Sequence, residues 1–316
     1  MALLAQPPLL QAASSTEDSD DAVDPLTDED GNNFHARWEL RGALGRGCSA
    51  TVYRARDRVG GVDAACKLTR NQRWMQWPRV VRTFQREAFL LRRCAHPAVI
   101  ELRGLYQSRL EAALMLELVA GGDCQQLLKR HGALSERAVV GIGSQLSAAL
   151  EHLHVHSVLH RDIKLENVLV RDVADAIPRV KLCDFGHSCL SSSEWCMGAT
   201  VTDGFLGTEG YAAPEVAHDG HVWAAEADLW SLGVVLYALL ANELLRYKNG
   251  APDISTKTSR AFAQASTAIK MLVKAILQME PAERLPIGAI REGIAELLPG
   301  PLGGAEGHRG GAAGGG

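Results

Sequence analysis

Short alternating runs of apolar and polar residues occupy the first part of the chain that looks folded. Between Trp38 and Leu68 these runs are interrupted by glycines at 42, 45, 47, 60 and 61. Alternation with a period of two is typical of strands with one buried face, and glycine favours the tight turns between them. The pattern predicts three antiparallel strands, followed by two more at Val99–Tyr106 and Ala112–Val119.

A helical spacing of apolar residues replaces this pattern elsewhere. From Arg79 to Arg93 apolar residues recur every three or four positions, and His96-Pro97 should end that helix. After Gly121-Gly122 the helical spacing dominates. It predicts helices at Gln125–His131, Ser135–His156, Asp228–Glu243, Arg260–Met279 and Ile287–Leu298. The sequence therefore predicts an α+β protein with two lobes, a β-rich one over residues 34–120 and a mostly helical one over residues 121–298.

The two ends differ in composition from the rest. Residues 1–33 contain eight acidic residues and no Lys or Arg, so the remainder has 33 basic against 29 acidic residues. Such a segment is typical of a disordered tail, although a tail that docks on the basic small lobe and regulates it is the alternative. Residues 299–316 are rich in Gly and Ala and are predicted to be flexible.

Overall composition indicates a soluble globular protein, with 47% hydrophobic and 22% charged residues. The apolar run Leu232–Ala241 is far shorter than the roughly 20 residues of a spanning helix, so we expect a buried helix. The seven cysteines are scattered without a C-x-x-C pair, which favours neither disulfides nor zinc. No signal or transit peptide is predicted. We expect an intracellular protein, in the cytoplasm or nucleus.

The most specific chemical signal is His160-Arg161-Asp162 followed by Asn167, with Asp184-Phe185-Gly186 starting 22 residues after Asp162. The first segment matches the H-R-D-x-x-x-x-N catalytic loop, and the second matches the metal-binding triplet that follows it. On these motifs the chain closely resembles the protein kinase family, over about residues 38–298. The resemblance implies the bilobal protein kinase fold, with ATP and Mg²⁺ as cofactors.

A glycine-rich segment near Gly45-x-Gly47 resembles the kinase loop that covers the phosphates of ATP. Taken alone, Gly-x-Gly is more often just a turn, and the third glycine of the kinase pattern is Ala50 here. A Rossmann loop would lead into a helix, and a Walker loop would contain Gly-Lys-Ser/Thr; neither pattern is present. The resemblance places the ATP-binding residues at Leu44, Gly45, Arg46, Gly47, Cys48, Ser49, Ala50, Val52, Ala65, Lys67, Leu116, Glu117, Val119 and Leu169.

The resemblance also implies the catalytic residues. Lys67 on the third strand would contact the α- and β-phosphates, and Glu87 on the following helix would form an ion pair with Lys67. Considered separately, Lys67 would more commonly be a lysine at a strand edge and Glu87 a surface residue of the helix. Asp162 would accept or orient the substrate hydroxyl, and Lys164 would neutralise charge on the moving phosphoryl group. Asn167 and Asp184 would bind Mg²⁺ through oxygen.

His160 and Phe185 are expected to have structural roles, stacked with Leu91 in the core. Ala213-Pro214-Glu215 resembles the end of a kinase activation segment. The resemblance implies that Asp228 lies on a buried helix and that Arg284 forms a buried ion pair with Glu215. The region 242–260 lacks the Pro-Phe landmark that the family has there, which weakens the case for family-like docking of proteins.

Lys164 two residues after Asp162, together with Thr208, is the pattern of Ser/Thr kinases. Arg161 before Asp162 implies an activation segment ordered by phosphorylation, with Thr200 and Thr202 as candidate sites. The alternative is a pseudokinase scaffold that binds nucleotide and partners without turnover.

The predicted partners are proteins phosphorylated on Ser or Thr. Asp123 and Glu166 lie where related kinases read basic residues upstream of the phosphorylated position; surface acids are the simpler reading. Neither a nucleic acid nor a membrane is expected as a partner, and the sequence leaves the oligomeric state open.

Overall fold

The small lobe is built on a five-stranded antiparallel sheet. The computed structural model describes residues 26–47, 50–71, 77–172, 177–191, 208–217, 224–248, 251–254 and 259–298. The sheet has the strand order β1-β2-β3-β5-β4, which makes β1 and β4 the two edges. Its elements are α1 (Phe34–Arg37), β1 (Trp38–Arg46), β2 (Thr51–Asp57), β3 (Asp63–Arg70), α2 (Trp77–Arg93), β4 (Leu102–Gln107) and β5 (Glu111–Glu117).

The large lobe is mostly helical and carries three short two-stranded sheets, β6–β9, β7–β8 and β10–β11. Together the two parts confirm the predicted α+β bilobal kinase fold. The elements are α3 (Cys124–His131), α4 (Glu136–Val155), β6 (Val158–Leu159), β7 (Val168–Asp172), β8 (Arg179–Leu182), β9 (Cys189–Leu190), α5 (Pro214–Ala217), α6 (Ala225–Ala241), β10 (Tyr247–Lys248), β11 (Ala251–Pro252), α7 (Arg260–Gln264), α8 (Thr267–Ile276) and α9 (Ile287–Leu297).

Helix α6 forms the centre of the large lobe. Its residues from Ala227 to Ala241 are all buried, which confirms that the apolar run there is a core helix. Close packing requires Gly233, because a Cβ at that position would lie 2.7 Å from a side-chain carbon of Ile276 on α8. Of the helices that the structure describes, none combines the length and apolar character needed to cross a bilayer.

The predicted helix Arg260–Met279 is wrong in one respect, because the structure divides it into α7 and α8. Ala265 has an extended backbone, and the side chain of Ser266 accepts a hydrogen bond from the Ile269 N–H to cap α8. Ser266 also donates from its backbone N–H to the carboxylate of Glu136, at 2.9 Å. A serine that caps a helix in this way competes with continuation of the preceding one.

The predicted strand Val99–Tyr106 begins three residues late, at Leu102. The backbone before it is bonded to the large lobe instead: Ile100 N–H donates to Leu182 O at 2.9 Å, and Leu182 N–H donates to Ala98 O at 2.8 Å. The predicted strand Ala112–Val119 ends early, at Glu117. The residues that follow α2 therefore connect the lobes rather than extend the sheet.

The folded part also starts earlier than the predicted boundary at Phe34. Leu26 is only 2% exposed and packs in the same cluster as Phe34, Trp38 and Tyr106, on the sheet face that includes Cys66 of β3. The acidic character of residues 26–33 hid this anchor in the sequence. Residues 1–25 and 299–316 lie outside the described residues.

Three histidines form a contact between the two lobes. The ring of His96, after α2, stacks on that of His152 of α4 at 5.3 Å, and the His152 and His156 rings are 4.4 Å apart. Burial lowers the pKa of His96, and the neighbouring His152, Lys181 and Arg291 lower it further. Burial and the nearby His156 lower the pKa of His152. The folded state therefore favours the neutral imidazoles of His96 and His152.

We expect His152→Gln to reduce the loss of stability in mild acid. Because the folded pKa of His152 is depressed, the unfolded chain binds protons first, so stability is lost as pH falls below about 6.5. The difference in melting temperature between about pH 7.5 and about pH 5.5 should be smaller in His152→Gln than in the parent chain. His131→Gln, on the exposed end of α3, is the matched control. If this difference in melting temperature were the same in His152→Gln and His131→Gln, the role of His152 would be contradicted.

Candidate active site

The two lobes meet at the side chain of Lys67. Buried and partly exposed positions alternate along β3. Cys66 therefore faces the outer core, the cluster that contains Leu26, Phe34, Trp38 and Tyr106, while Lys67 faces the cleft. The Lys67 ammonium lies 2.8 Å from one Glu87 oxygen and 2.9 Å from the other, and 2.8 Å from Asp184 Oδ1. Burial alone would lower the pKa of Lys67, but the carboxylates of Glu87 and Asp184 outweigh it and raise that pKa. Lys67 is therefore a fixed cation in contact with both lobes.

Asp184 is held in a strained backbone conformation. Its φ of 62° lies in the left-handed region, which costs energy for a residue other than glycine. The turn places the Asp184 side chain, 44% exposed, beside Lys67, and buries the Phe185 ring. A Cβ at Gly186 would lie 3.2 Å from Asp184 Oδ1, so a side chain there would crowd the carboxylate. Strain of this kind persists where surrounding contacts determine the geometry, as they do at functional sites.

The catalytic-loop candidates form one hydrogen-bonded cluster around Asp162. Lys164 Nζ lies 2.6 Å from Asp162 Oδ2, and the Thr208 hydroxyl donates to Asp162 Oδ1 at 2.7 Å. Lys164 also donates to Thr208 Oγ1, at 2.8 Å. The Asn167 amide donates to Asp162 O at 2.7 Å and to Asp162 Oδ2 at 2.9 Å, which leaves the amide oxygen of Asn167 available. The structure thus brings four predicted site residues together.

Asp162 is an ionised carboxylate in this cluster. Burial alone would raise its pKa, but the neighbouring His187, Lys164 and Thr208 outweigh burial and hold the pKa below its usual range. His187 Nδ1 lies 3.7 Å from Asp162 Oδ2. We did not predict His187 from the sequence; its position directly after Asp184-Phe185-Gly186 was the available signal.

Asp228, deep in the large lobe, fixes the backbone of the catalytic loop. Its carboxylate accepts hydrogen bonds from the backbone N–H groups of His160 and Arg161, both at 2.9 Å, and from His154 Nε2 at 3.1 Å. Arg161 has a φ of 70°, so this carboxylate stabilises a left-handed backbone one residue before Asp162. Asp228 therefore positions Asp162 without facing the cleft.

His160 has a structural environment. It is fully buried, its ring packs edge-on against Phe185 at 4.9 Å, and its Nδ1 accepts from the Asp162 N–H at 3.3 Å. Its Nε2 lies 3.1 Å from Cys183 O, which suits a neutral ring with the proton on Nε2. Burial lowers the pKa of His160, in keeping with that form. Leu91 of α2 and Phe185 belong to the same core cluster.

Three of the predicted adenine-site residues lie on three neighbouring strands: Val52 on β2, Ala65 on β3 and Leu116 on β5. Val52 is the register partner of Lys67, and Ala65 is the register partner of Leu116. Leu44, in contrast, is 53% exposed.

The glycine-rich hairpin follows Arg46, which lies at the end of β1. The Gly47 N–H donates to Ala50 O at 2.9 Å and closes the hairpin. Cys48 and Ser49 lie outside the described residues. Gly45 pairs with Val52 in the register of β1 and β2, and Leu169 and Val119 are partly buried against the main core.

Glu117 has a side-chain role that the sequence reasoning missed. Its Oε1 lies 2.6 Å from Lys181 Nζ on β8 and accepts a hydrogen bond from the Glu101 N–H at 2.9 Å. Lys181 also donates to Val99 O, at 3.1 Å. Both charged side chains are largely buried, so this pair joins the end of β5 to the large lobe. Lys181 lies on a short strand in which polar and apolar residues alternate, so nothing in the sequence indicated its ion pair with Glu117.

Glu215 and Arg284 form a bidentate ion pair away from the cleft. Arg284 Nη1 and Nη2 each lie 2.6 Å from a Glu215 oxygen, and the Arg284 side chain is fully buried. Arg284 also donates to backbone carbonyl oxygens of Glu226, Gln278 and Met279. The predicted pair is therefore present, and it fixes α5 against the segment before α9.

The predicted phosphorylation sites Thr200 and Thr202 lie outside the described residues. Arg161, expected to face the activation segment, has a buried side chain and lies close enough to Arg86 for the two charges to interact. Thr208 is described, and its hydroxyl lies in the catalytic cluster rather than on an exposed surface.

The polar side chains at the cleft fit a magnesium ion. Asn167 offers an amide oxygen and Asp184 a partly exposed carboxylate, both hard ligands of the type that Mg²⁺ prefers. Within the described ranges, no group of three His, Cys, Asp or Glu side chains is placed to hold a metal by itself. A site with one carboxylate and one amide suits Mg²⁺ that arrives with phosphate oxygens.

Comparison with known proteins agrees with this geometry. The family model described as the protein kinase domain matches residues 38–293. CBL-interacting protein kinase 29 of Oryza sativa subsp. japonica is 36% identical over 266 residues, which cover 79% of this chain and 57% of the relative. CBL-interacting serine/threonine-protein kinase 5 of Arabidopsis thaliana is 30% identical over 271 residues, covering 83% and 58%. The chain spans less than two thirds of the length of either relative. With the domain match spanning both lobes and the whole candidate site, the chain belongs to the protein kinase domain family.

Proposed function

We propose that this chain is an active protein serine/threonine kinase that transfers the γ-phosphoryl group of Mg·ATP to hydroxyl groups of proteins. The observation that carries the proposal is the simultaneous contact of Lys67 with Glu87 and with Asp184, each at 2.8 Å. This contact joins the small-lobe and large-lobe halves of a phosphoryl-transfer site. A pseudokinase typically lacks one of the residues equivalent to Lys67, Asp162 or Asp184, and all three are present here.

The chain's own residues account for the positioning that this reaction needs. Lys67 would contact the α- and β-phosphates, and the cleft side chains of Asn167 and Asp184 would hold Mg²⁺, which supplies positive charge to the phosphates when bound. Val52, Ala65, Leu116 and Leu169 would enclose the adenine ring. Phosphoryl transfer depends mainly on such positioning and on charge stabilisation.

Asp162 and Lys164 would act at the reacting oxygen. The substrate hydroxyl forms a bond to the γ-phosphorus as the bond from that phosphorus to the β-phosphate oxygen breaks, and the electron pair leaves with ADP. Asp162, ionised because of its low pKa, orients the hydroxyl and takes up its proton. Lys164, 2.6 Å from Asp162, offsets negative charge on the transferred group. The hydrogen bond that the Thr208 hydroxyl donates to Asp162 Oδ1, at 2.7 Å, supports a role for this carboxylate as the acceptor for a substrate hydroxyl.

The proposal is tested by phosphate incorporation from Mg·ATP into three peptides that differ only in having Ser, Thr or Tyr at the acceptor position. We expect incorporation on Ser and Thr, and its loss on chelation of the metal or in Asp184→Asn. Equal incorporation on Tyr would contradict the Ser/Thr assignment. Retained nucleotide binding without incorporation on any peptide would support the scaffold reading instead.

We also propose that this kinase prefers substrates with basic residues upstream of the phosphorylated position. Glu166 is exposed in the catalytic loop, whereas Asp123 caps α3 by accepting from the Gln126 N–H at 2.7 Å. We therefore expect Glu166 to contribute more to the reading of an upstream Arg.

Glu166→Gln should lower kcat/KM for an Arg-containing peptide by about tenfold or less and leave a matched Ala peptide unchanged, because an exposed charge pair contributes about 1 kcal/mol. Asp123→Asn is the comparison variant. Equal kcat/KM for the Arg and Ala peptides with the parent chain would contradict any basic preference.

A further inference from the structure

Residues Leu26–Asn33, which we call the N-terminal strap, form a compact closed loop before α1. The Phe34 N–H donates to Leu26 O at 2.7 Å, and the Asp28 N–H donates to Asn32 O at 3.1 Å. Inside the loop the Asp28 carboxylate accepts from the backbone N–H groups of Asp30 and Asn32, at 3.0 and 2.8 Å. These hydrogen bonds within the strap hold it in a closed shape.

The strap pairs with the end of one edge strand of the sheet. Thr27 and Gln107 exchange two backbone hydrogen bonds, at 3.2 and 2.7 Å, so the strap pairs with edge strand β4. Leu26, 2% exposed, inserts beside Tyr106 and Phe34 in the outer core cluster. Burial of a leucine side chain is the main stabilising contact, while the paired edge is the geometric constraint.

Two further contacts connect this edge to helix α2. The Gln107 side-chain oxygen accepts from Gln85 Nε2 at 2.9 Å, two residues before Glu87. Glu29 Oε1 lies 2.8 Å from Arg92 Nη1 near the end of α2. The Glu29–Arg92 pair is exposed, so alone it adds little stability. Together the contacts connect the strap and β4 to the side of α2 opposite Glu87.

The opposite side of α2 carries the groups that complete the active site. Glu87 binds Lys67, and Arg86 Nη2 donates to Gly186 O at 2.8 Å, directly after Asp184-Phe185. A rotation or outward shift of α2 would therefore break the Lys67–Glu87 contact. From this arrangement we infer that the N-terminal strap is a positioning element that holds α2 where Glu87 pairs with Lys67. As a statement about rate, the inference rests on the proposed kinase function.

Two truncations separate the strap from the acidic segment that precedes it. A chain starting at Leu26 loses residues 1–25 and keeps the strap, and a chain starting at Phe34 loses both. We expect the first to match the full chain. In the second, kcat/KM for ATP should fall by about tenfold, because a displaced Glu87 leaves Lys67 poorly oriented.

Hydrogen exchange supplies a readout that does not depend on turnover. In the chain starting at Phe34 the amides of α2 should exchange faster, while those of α6 stay protected, which shows that the large lobe remains folded. In the full chain, Leu26→Asp should reproduce both the faster exchange of α2 and the lower kcat/KM for ATP. Leu26→Met should reproduce neither effect.

Unchanged α2 exchange and unchanged kcat/KM in the chain starting at Phe34 would overturn the inference. A higher rate in that chain would also overturn it and would make residues 1–33 inhibitory. If no form transferred phosphate, the proposed function would fail, and faster α2 exchange in the Phe34 chain would still support the strap.

Discussion

Asp162→Asn is expected to lower the rate of phosphoryl transfer by about a thousandfold while nucleotide binding stays unchanged. The substitution keeps the size of the side chain and one oxygen for the Thr208 hydroxyl, but it removes the negative charge. The amide can neither take up the substrate proton nor balance the ammonium of Lys164, which lies 2.6 Å from Asp162. Because Asp162 makes no contact with Lys67, the phosphate-binding half of the site should be intact.

Initial rates of incorporation from Mg·ATP, together with the dissociation constant for nucleotide, measure the two effects separately. Asp172→Asn is a suitable control, since Asp172 lies on β7 of the same lobe and pairs with Arg179 away from the catalytic cluster. That variant should retain the parent rate. More than a tenth of the parent activity in Asp162→Asn would show that Asp162 does not carry the proton or orient the hydroxyl.

Arg284→Met is expected to lower the free energy of unfolding by about 3–5 kcal/mol. The Arg284 guanidinium is fully buried, forms two 2.6 Å contacts with Glu215 and lies 5.0 Å from the centre of the Trp230 ring. Removal of one partner leaves the Glu215 carboxylate without its cation and three backbone carbonyls without their donor. The cost comes from stranded polar groups rather than from a large net gain by the pair.

Denaturant unfolding of the parent, Arg284→Met, Glu215→Gln and the double variant would measure the coupling between the two side chains. Arg291→Met is the matched control, because Arg291 pairs with Glu151 on the surface and its side chain is 45% exposed. The control should cost less than about 1 kcal/mol. Equal losses for the Arg284 and Arg291 variants would contradict the buried-pair argument.

Local sequence patterns determined most of the secondary structure. The glycine-broken runs predicted β1 to β3, and the 3–4 residue spacing predicted α2, α4 and α9 to within a few residues. These patterns are readable because a strand or helix with one buried face imposes its own period on the sequence. The helix break at Ser266 was missed, since a single serine is a weak local signal that its contact with Glu136 makes decisive.

The N-terminal boundary shows a different limit. A run of acids predicts a disordered tail by composition, yet Leu26 and Thr27 anchor residues 26–33 to the sheet. Composition averages over a window, whereas one buried leucine and one paired backbone position are enough to order a short loop.

For the site, the sequence alone determined which residues are the candidates for the chemistry and their order along the chain, from Lys67 through Asp162 to Asp184. Only the tertiary structure decided that Lys67 meets Glu87 and Asp184 at once, that the Thr208 hydroxyl lies on Asp162, and that Glu117 pairs with Lys181. The reason is physical: a period reports which face of an element is buried. The partner that a charged group finds on that face depends on how distant elements pack, where a shift of about 1 Å makes or breaks a hydrogen bond.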